Sequence, residues 1–274
     1  MSENEGAADP ARFLTMQVRR LLSTLLLPTG LAIAFDARAI VDEIQVYTDE
    51  LDERGERGLE LHVNTTPRGR KTPDYPGDLP PYHGVRITPE FHLGLGGDFE
   101  AGLYFPGAFD SHGNFYLAGI KPRVKWLPIR GGEGEGGWYF GANVELDRLT
   151  KKFSDSPLST ELRVMGGYRA GDWLIGVNPI LDWGLSRGYR GSPDVILAWK
   201  AVHSIAPGLS MGAEYYDGIG TLAQRLPRAE RERTLYLVAE VERKSWSLNF
   251  GVGRGLTSAT DDWTVKAIFG FSFN

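Results

Sequence analysis

The charged residues of this chain do not gather into a catalytic set; they recur at every second position. Lys121-x-Arg123-x-Lys125 is the densest basic row, Glu145-x-Asp147 is an acidic one, and Glu90-x-His92 sets a carboxylate two residues from an imidazole. Arg163, Glu214 and Glu240 each stand between two apolar or aromatic neighbours. In a strand, residues two apart share a face, so each row would draw a line of charge along one side of a ribbon. A line of this kind either attracts a solute or pairs with the opposite sign, and enclosed charges have to be paired. Lys121, Arg123, Lys125, Glu90, His92, Glu145, Asp147, Arg163, Glu214 and Glu240 are therefore the candidate binding residues, all expected to face a lumen. Mutual pairing is the role expected first, with the Lys121–Arg123–Lys125 row as the strip most able to draw an anion.

Other chemistry finds little support. Glu90 and His92 would offer two metal ligands, but no third is clustered with them in sequence, so neither a metal nor a cofactor is expected. There is no cysteine, which removes disulfides, zinc–cysteine sites and thiol nucleophiles. No G-x-S-x-G elbow occurs. The glycine-rich stretch 131–137 has no lysine after it and no helix to open, so it is not a phosphate loop. Gly251-Val-Gly-Arg-Gly255 reads as a place where a strand bends or admits a bulky neighbour. Asp155-Ser156 and Asp261-Asp262 read as loop acids with a weak calcium signal. No catalytic residue is assigned, and the chain is not expected to be an enzyme.

The elements that must carry these rows are strands. Apolar content is 42% over 274 residues, and the mean hydropathy of −0.25 excludes several apolar helical spans. A barrel is not excluded, because only alternate residues of its strands face lipid. A net charge of −5 gives no concentrated basic surface for nucleic acid. From Gly58 onward the apolar residues alternate. Trp263, Val265, Ala267, Phe269, Phe271 and Phe273 share one parity, as do Trp138, Phe140, Ala142, Val144 and Leu146. The segments are longer than the usual five or six residues of globular strands and suit a tilted bilayer crossing. All seven tryptophans fall on the apolar parity, six of them at strand ends and Trp199 mid-strand. An indole at a strand end suits a membrane interface.

Short and long connections alternate along the chain, which fixes the count. Strands are expected near 58–66, 84–95, 98–107, 114–127, 137–148, 158–169, 172–184, 194–205, 208–217, 233–243, 246–255 and 262–273. That is a closed, antiparallel, up-and-down transmembrane β-barrel of about 12 strands with both ends periplasmic. The long, flexible connection 128–137 is a misfit in a periplasmic slot. Glu43 to Thr48 reads as a periplasmic lead-in or part of the first hairpin. Upstream, Arg19-Arg20, the apolar run Leu21 to Phe35 and Ala37-Arg38-Ala39 have the anatomy of a secretory signal. It would begin at Met16, with Met1 to Thr15 as an over-extended start. The expected division is thus 1–39 as extension and cleavable signal, and 40–274 as one barrel domain.

Gly251-Val-Gly-Arg-Gly-Leu-Thr-Ser-Ala-Thr-Asp-Asp-Trp-Thr-Val-Lys266, together with Gly58-Leu-Glu-Leu-His-Val-Asn-Thr-Thr-Pro67, resembles segments of uncharacterised proteobacterial outer-membrane barrel proteins. These are similar to the transporter-like barrels of the phenol-degradation meta-pathway group. The resemblance implies a barrel of the bacterial outer membrane with a role in uptake of small aromatic or hydrophobic compounds, and it carries over no catalytic residues. Such barrels commonly end in Phe; here Asn274 follows Phe273.

The expected function is a passive channel or transporter for a small solute. A lipid-modifying enzyme of the outer membrane, and a structural or partner-binding barrel using loops 67–83 and 218–232, are the alternatives. The expected partners are outer-membrane lipid, a small-molecule solute and the outer-membrane assembly machinery, with no nucleic acid.

Overall fold

Side chains of alternating polarity turn to opposite sides of an extended chain, and in this protein the two sides meet different media. The structure, a computed structural model, describes residues 43–131, 136–187 and 191–273. The signal-like region, the expected start at Met16, the centre of the 128–137 connection and Asn274 lie outside the described residues.

Among the described residues, fourteen strands form one antiparallel sheet: β1 (Arg57–Arg68), β2 (Val85–Gly96), β3 (Phe99–Tyr104), β4 (Gly107–Phe109), β5 (Phe115–Leu117), β6 (Gly119–Ile129), β7 (Gly137–Leu149), β8 (Leu158–Ala170), β9 (Trp173–Gly184), β10 (Asp194–Ala206), β11 (Leu209–Thr221), β12 (Arg233–Glu242), β13 (Trp246–Gly255) and β14 (Trp263–Ser272). Twelve of them close into a barrel. The seam is the pairing of β1 with both β14 and β2, from Gly58↔Ser272 to Arg68↔Trp263 on one side and from Arg57↔Leu93 to Thr65↔Val85 on the other. Closure removes the sheet edges, whose backbone groups would otherwise stand unbonded in hydrocarbon.

The two expected strands 98–107 and 114–127 are each broken once. Phe105 and Pro106 separate β3 from β4, and Ala118 separates β5 from β6. Pro106 has no N–H to give to a ladder. The chain dips there, and the ladder is patched by Phe105 N–H to the Pro89 carbonyl (2.9 Å) and Ala118 N–H to the Pro106 carbonyl (2.8 Å). Beyond the break, β4 pairs with residues 85–87 of β2, and β5 pairs with β4 in the long-loop layer.

The connections alternate as expected. At one rim, β2–β3 turns on Gly97 and Asp98, and β8–β9 on Gly171 and Asp172. At the other rim run the loops 69–84, 150–157, 222–232 and 256–262.

The outer face is apolar. Phe91, Leu93 and Leu95 of β2, Val144 and Leu146 of β7, and Phe269 and Phe271 of β14 are exposed, and Leu237 of β12 is 70% exposed. Six of the seven indoles (Trp126, Trp138, Trp173, Trp199, Trp246 and Trp263) are exposed on this face, and Trp183 is half-buried. A water-soluble barrel would not display this belt; a bilayer covers it.

Segment 43–56 corrects one expectation. It forms no strand and is neither an outside lead-in nor part of a hairpin. Glu43, Ile44, Val46, Tyr47 and Thr48 are buried inside the barrel. The chain descends from mid-lumen, where the Ile44 carbonyl accepts from Lys266 Nζ (2.8 Å), to the short-turn rim, where Gly55 N–H meets the Gly94 carbonyl (2.8 Å). The reason is visible in its backbone partners. An extended segment must bond its N–H and C=O groups, and the luminal side chains of the wall do this in place of a neighbouring strand.

Candidate functional site

The site is the barrel interior, built from the polar parity of the strands and from segment 43–56. Near the short-turn rim, Arg123 of β6 bridges two acids. Its Nε donates to Glu90 Oε1 at 2.6 Å and a terminal nitrogen to Glu100 Oε1 at 2.7 Å. Lys125, two residues along the same strand, reaches Glu100 Oε1 at 3.0 Å. Lys121, on the other side of Arg123, meets Glu145 at 3.2 Å and Glu43 at 3.9 Å. Asn143 Nδ2 donates to Glu145 Oε1 (2.8 Å). Ser159 Oγ donates to Asp147 (3.4 Å).

Two strands further along the wall, Arg163 of β8 lies against Glu161 (3.0 Å) and donates to the Gln45 carbonyl (2.7 Å). Lys266 of β14 pairs with Glu214 of β11 at 2.5 Å, and the Tyr216 hydroxyl donates to the same carboxylate at 2.7 Å. Lys200 pairs with Glu240, which also accepts from Asn249 (2.7 Å).

All ten residues singled out from the sequence therefore face the interior. Nine stand in ion pairs, and Asp147 accepts from a serine. The Lys121–Arg123–Lys125 row is met by Glu43, Glu90, Glu100 and Glu145, so it is not an uncovered cationic strip. Glu90 and His92, adjacent on one face, have different partners. His92 Nδ1 binds Asp52 of the inner segment, while Glu90 turns to Arg123 and to His62.

The inner segment supplies what sequence reasoning missed. Asn178 of β9 holds Tyr47 by both backbone groups, and Asp49 takes two hydrogen bonds from Arg169 (3.0 and 2.8 Å). Asp52 N–H donates to Glu100 Oε2 (2.9 Å). The Tyr47 hydroxyl lies 2.6 Å from that of Tyr104, and the Arg163 guanidinium stacks 4.4 Å from the Tyr47 ring centre. The sequence signal was present in Asn143 and Asn178: uncharged amides at mid-strand on the luminal parity, each able to bond backbone.

The segment divides the lumen into two spaces. Toward the short turns lies a polar cavity of about 430 Å³, lined by Tyr47, Glu60, His92, Arg169, Lys200 and Glu240 among others. Toward the long loops lies a mostly apolar pocket of about 100 Å³, with Ile44 at its base and Ala108, Phe109, Ile196, Tyr216 and Tyr236 in its wall. Tyr236 has room because Gly253 lies under its ring, where a Cβ would stand 2.4 Å from it. That is the bulky-neighbour role expected of the glycine run.

No protein-family model matches the chain, and no curated protein matches it in sequence. Among solved structures it is similar to the COG4313 outer membrane channel from Pseudomonas putida F1, at 13% identity and a TM-score of 0.56, covering 84% of this chain and 100% of that one. A weaker likeness, to the NanC porin, has 12% identity and a TM-score of 0.47, covering 79% and 99%. The first of these shows a shared fold. With the closed sheet and the apolar outer belt, it gives the chain the fold of a membrane-spanning β-barrel.

Proposed function

We propose that this barrel is a passive channel for a small solute, closed at rest by its own segment 43–56. One observation carries the reading. The lumen is lined by charge, as a water-filled path requires, and among the described residues it is interrupted by one extended segment with open space on both sides. Apart from the backbone bonds of Gly55 and Glu56 to Gly94 at the rim, side chains hold that segment with no strand ladder, so it can be released without unzipping the wall.

The class of solute follows from the outer space. A mostly apolar pocket walled by Ile196, Phe109 and two tyrosines, with Arg70, Arg86 and Asp261 also in its lining, suits a small aromatic molecule that carries a polar group. An engineered apolar cavity of about 150 Å³ holds a benzene ring, so the pocket matches a single-ring compound in scale. This fits the resemblance to transporter-like barrels of the phenol-degradation group, which belongs to the same proposal. Lipid around the belt and the assembly machinery acting on the alternating Phe269, Phe271 and Phe273 are its proposed partners.

Conductance in planar bilayers tests the reading. The intact protein should open rarely and briefly; a variant lacking residues up to Asp52 should hold a sustained, larger conductance. A truncated barrel that keeps its heat-modifiable gel mobility and conducts no more than the intact protein would overturn it. Liposome uptake of a single-ring aromatic, compared with a sugar of similar mass, tests the solute class separately.

A further inference from the structure

Glu60 of β1 and Glu90 of β2 are direct cross-strand partners on the luminal side. Two carboxylates in that relation repel, and a cation between them is what relieves it. His62, two residues along β1 and fully buried, places Nε2 at 3.5 Å from Glu60 Oε2 and 3.4 Å from Glu90 Oε2. Both separations are long for an N–H···O hydrogen bond, which centres near about 2.9–3.0 Å. They are instead the spacing of neighbouring ligands on one ion: with bonds of about 2.0–2.1 Å, tetrahedral ligands stand roughly 3.3–3.4 Å apart. The three ligand atoms all lie within 4.8 Å of one another.

The surroundings favour the same reading. Arg123 occupies Glu90 Oε1, which leaves Oε2 turned toward His62. The Gln45 amide of the inner segment stands 3.4 Å from the same Glu60 oxygen, and its Oε1 is buried without a hydrogen-bond partner. Amide oxygen and nitrogen exchange places by a half-turn of the group, which would bring this carbonyl to the centre. The other cluster of this kind, Asp52–His92–Glu100, differs: both Glu100 oxygens are engaged, one by Arg123 and Lys125, the other by the Asp52 N–H.

We propose that Glu60, His62 and Glu90, with Gln45 as fourth ligand, form a site for a divalent transition-metal ion of the zinc type. Imidazole with carboxylates suits such an ion, and the polar cavity, whose wall includes Gln45, Glu60 and Glu90, is its way in. A protonated His62 is the competing cation. It offers one N–H to two carboxylates at lengths where neither bond is strong, whereas a doubly charged ion meets both. Because Gln45 belongs to the inner segment, a bound ion ties that segment to the wall.

The test uses the full chain without a histidine tag, stripped by a chelator in detergent. Zn²⁺ is titrated by calorimetry and Co²⁺ by its visible absorption. The expected result is one ion per chain with a tetrahedral Co²⁺ spectrum, weakened by at least about 100-fold in His62→Ala. Glu60→Gln, at a half-buried position, should weaken it as well while leaving heat-modifiable mobility unchanged, and His112→Ala in an external loop should bind as the unaltered protein does. Absence of stoichiometric binding, or binding in the Glu60→Gln and His62→Ala variants as tight as in the unaltered protein, overturns the proposal. So does loss of binding in His92→Ala with retention in His62→Ala.

Discussion

Asn178 grips Tyr47 by both ends of its side-chain amide: Oδ1 accepts the Tyr47 N–H at 2.6 Å, and Nδ2 donates to the Tyr47 carbonyl at 3.0 Å. The amide does for the inner segment what a neighbouring strand would do in a sheet. Asn178→Leu keeps the branched shape of the side chain and removes both bonds. Each buried backbone group left unpaired costs about 1–3 kcal/mol, and 1.4 kcal/mol is tenfold in a population. With both groups left unpaired, the variant should spend at least about 30-fold more time open in single-channel recordings, with the barrel still folded by gel mobility. Unchanged open time would show that this contact does not hold the channel closed.

The paired charges differ in worth according to burial. Arg123 is enclosed between Glu90 and Glu100, whereas the Arg130–Asp98 pair at the rim is exposed. Arg123→Met removes the guanidinium shared by two buried carboxylates, leaving only Lys125 beside Glu100 and His62 beside Glu90, and should cost about 3–5 kcal/mol in urea unfolding followed by tryptophan fluorescence. Arg130→Ala should cost no more than about 1 kcal/mol. Equal effects from the two would mean that the interior is as well hydrated as the rim.

One connection has its own acid. Asp110, in the loop between β4 and β5, accepts from the Asn114 side chain and backbone and from His112 N–H. These donors, Asn114 first, pull its carboxyl down from 3.8 to about 2. A depressed pKa means that the turn is fully supported above the unfolded value near 3.8 and loses this support as pH falls through about 2. The Asn114 amide resonance, followed by NMR in micelles, should shift with a midpoint near the lower value, and Asp110→Ala should bring protease nicking between 110 and 116. A midpoint at the ordinary aspartate value would contradict the bonding described.

Much of the wall was legible in the sequence because strand periodicity forces every residue to one side or the other. Glu145 between Val144 and Leu146 can only face away from lipid if they face toward it, and this is what the structure shows. Strand number followed from connection length. What could not be read was which charge meets which. Lys266 and Glu214 pair across 52 positions, on β14 and β11, and only the curvature of the closed barrel brings them together. The placement of 43–48 was hidden for a related reason. Glu43, Gln45 against Ile44, Val46 alternates like any strand, but its partner is a side chain 131 positions away. The break at Phe105–Pro106 had a visible cause in the proline, and its consequence depended on how Pro89 of β2 meets it.

The outer belt can be tested directly. Val144 lies at the middle of β7 and is 50% exposed on the outer face. Arginine there would sit near the bilayer midplane at a cost of about 2–4 kcal/mol. Val144→Arg should lower the stability of the barrel folded into vesicles by that amount in urea titrations. If the exchange is neutral in vesicles, this face does not meet hydrocarbon.

At the short-turn rim the inner segment passes over Gly94 of β2 so closely that a Cβ there would stand 1.9 Å from the Glu53 carbonyl oxygen and 2.7 Å from that of Asp52. Both neighbours are backbone atoms, so no side-chain rotation relieves the overlap. Gly55 N–H bonds the Gly94 carbonyl, and Gly94 N–H bonds the Glu56 carbonyl at 3.0 Å. Gly94→Ala must therefore lift residues 52–56 off the wall. The strand itself remains able to form, since alanine is allowed at this extended position. Two measurements should move together: faster protease cleavage within 50–56 from the periplasmic side in vesicles, and more frequent channel openings. Faster cleavage with unchanged conductance would mean that the rim contact only anchors the segment, and that closure depends on the deeper hold of Asn178 on Tyr47.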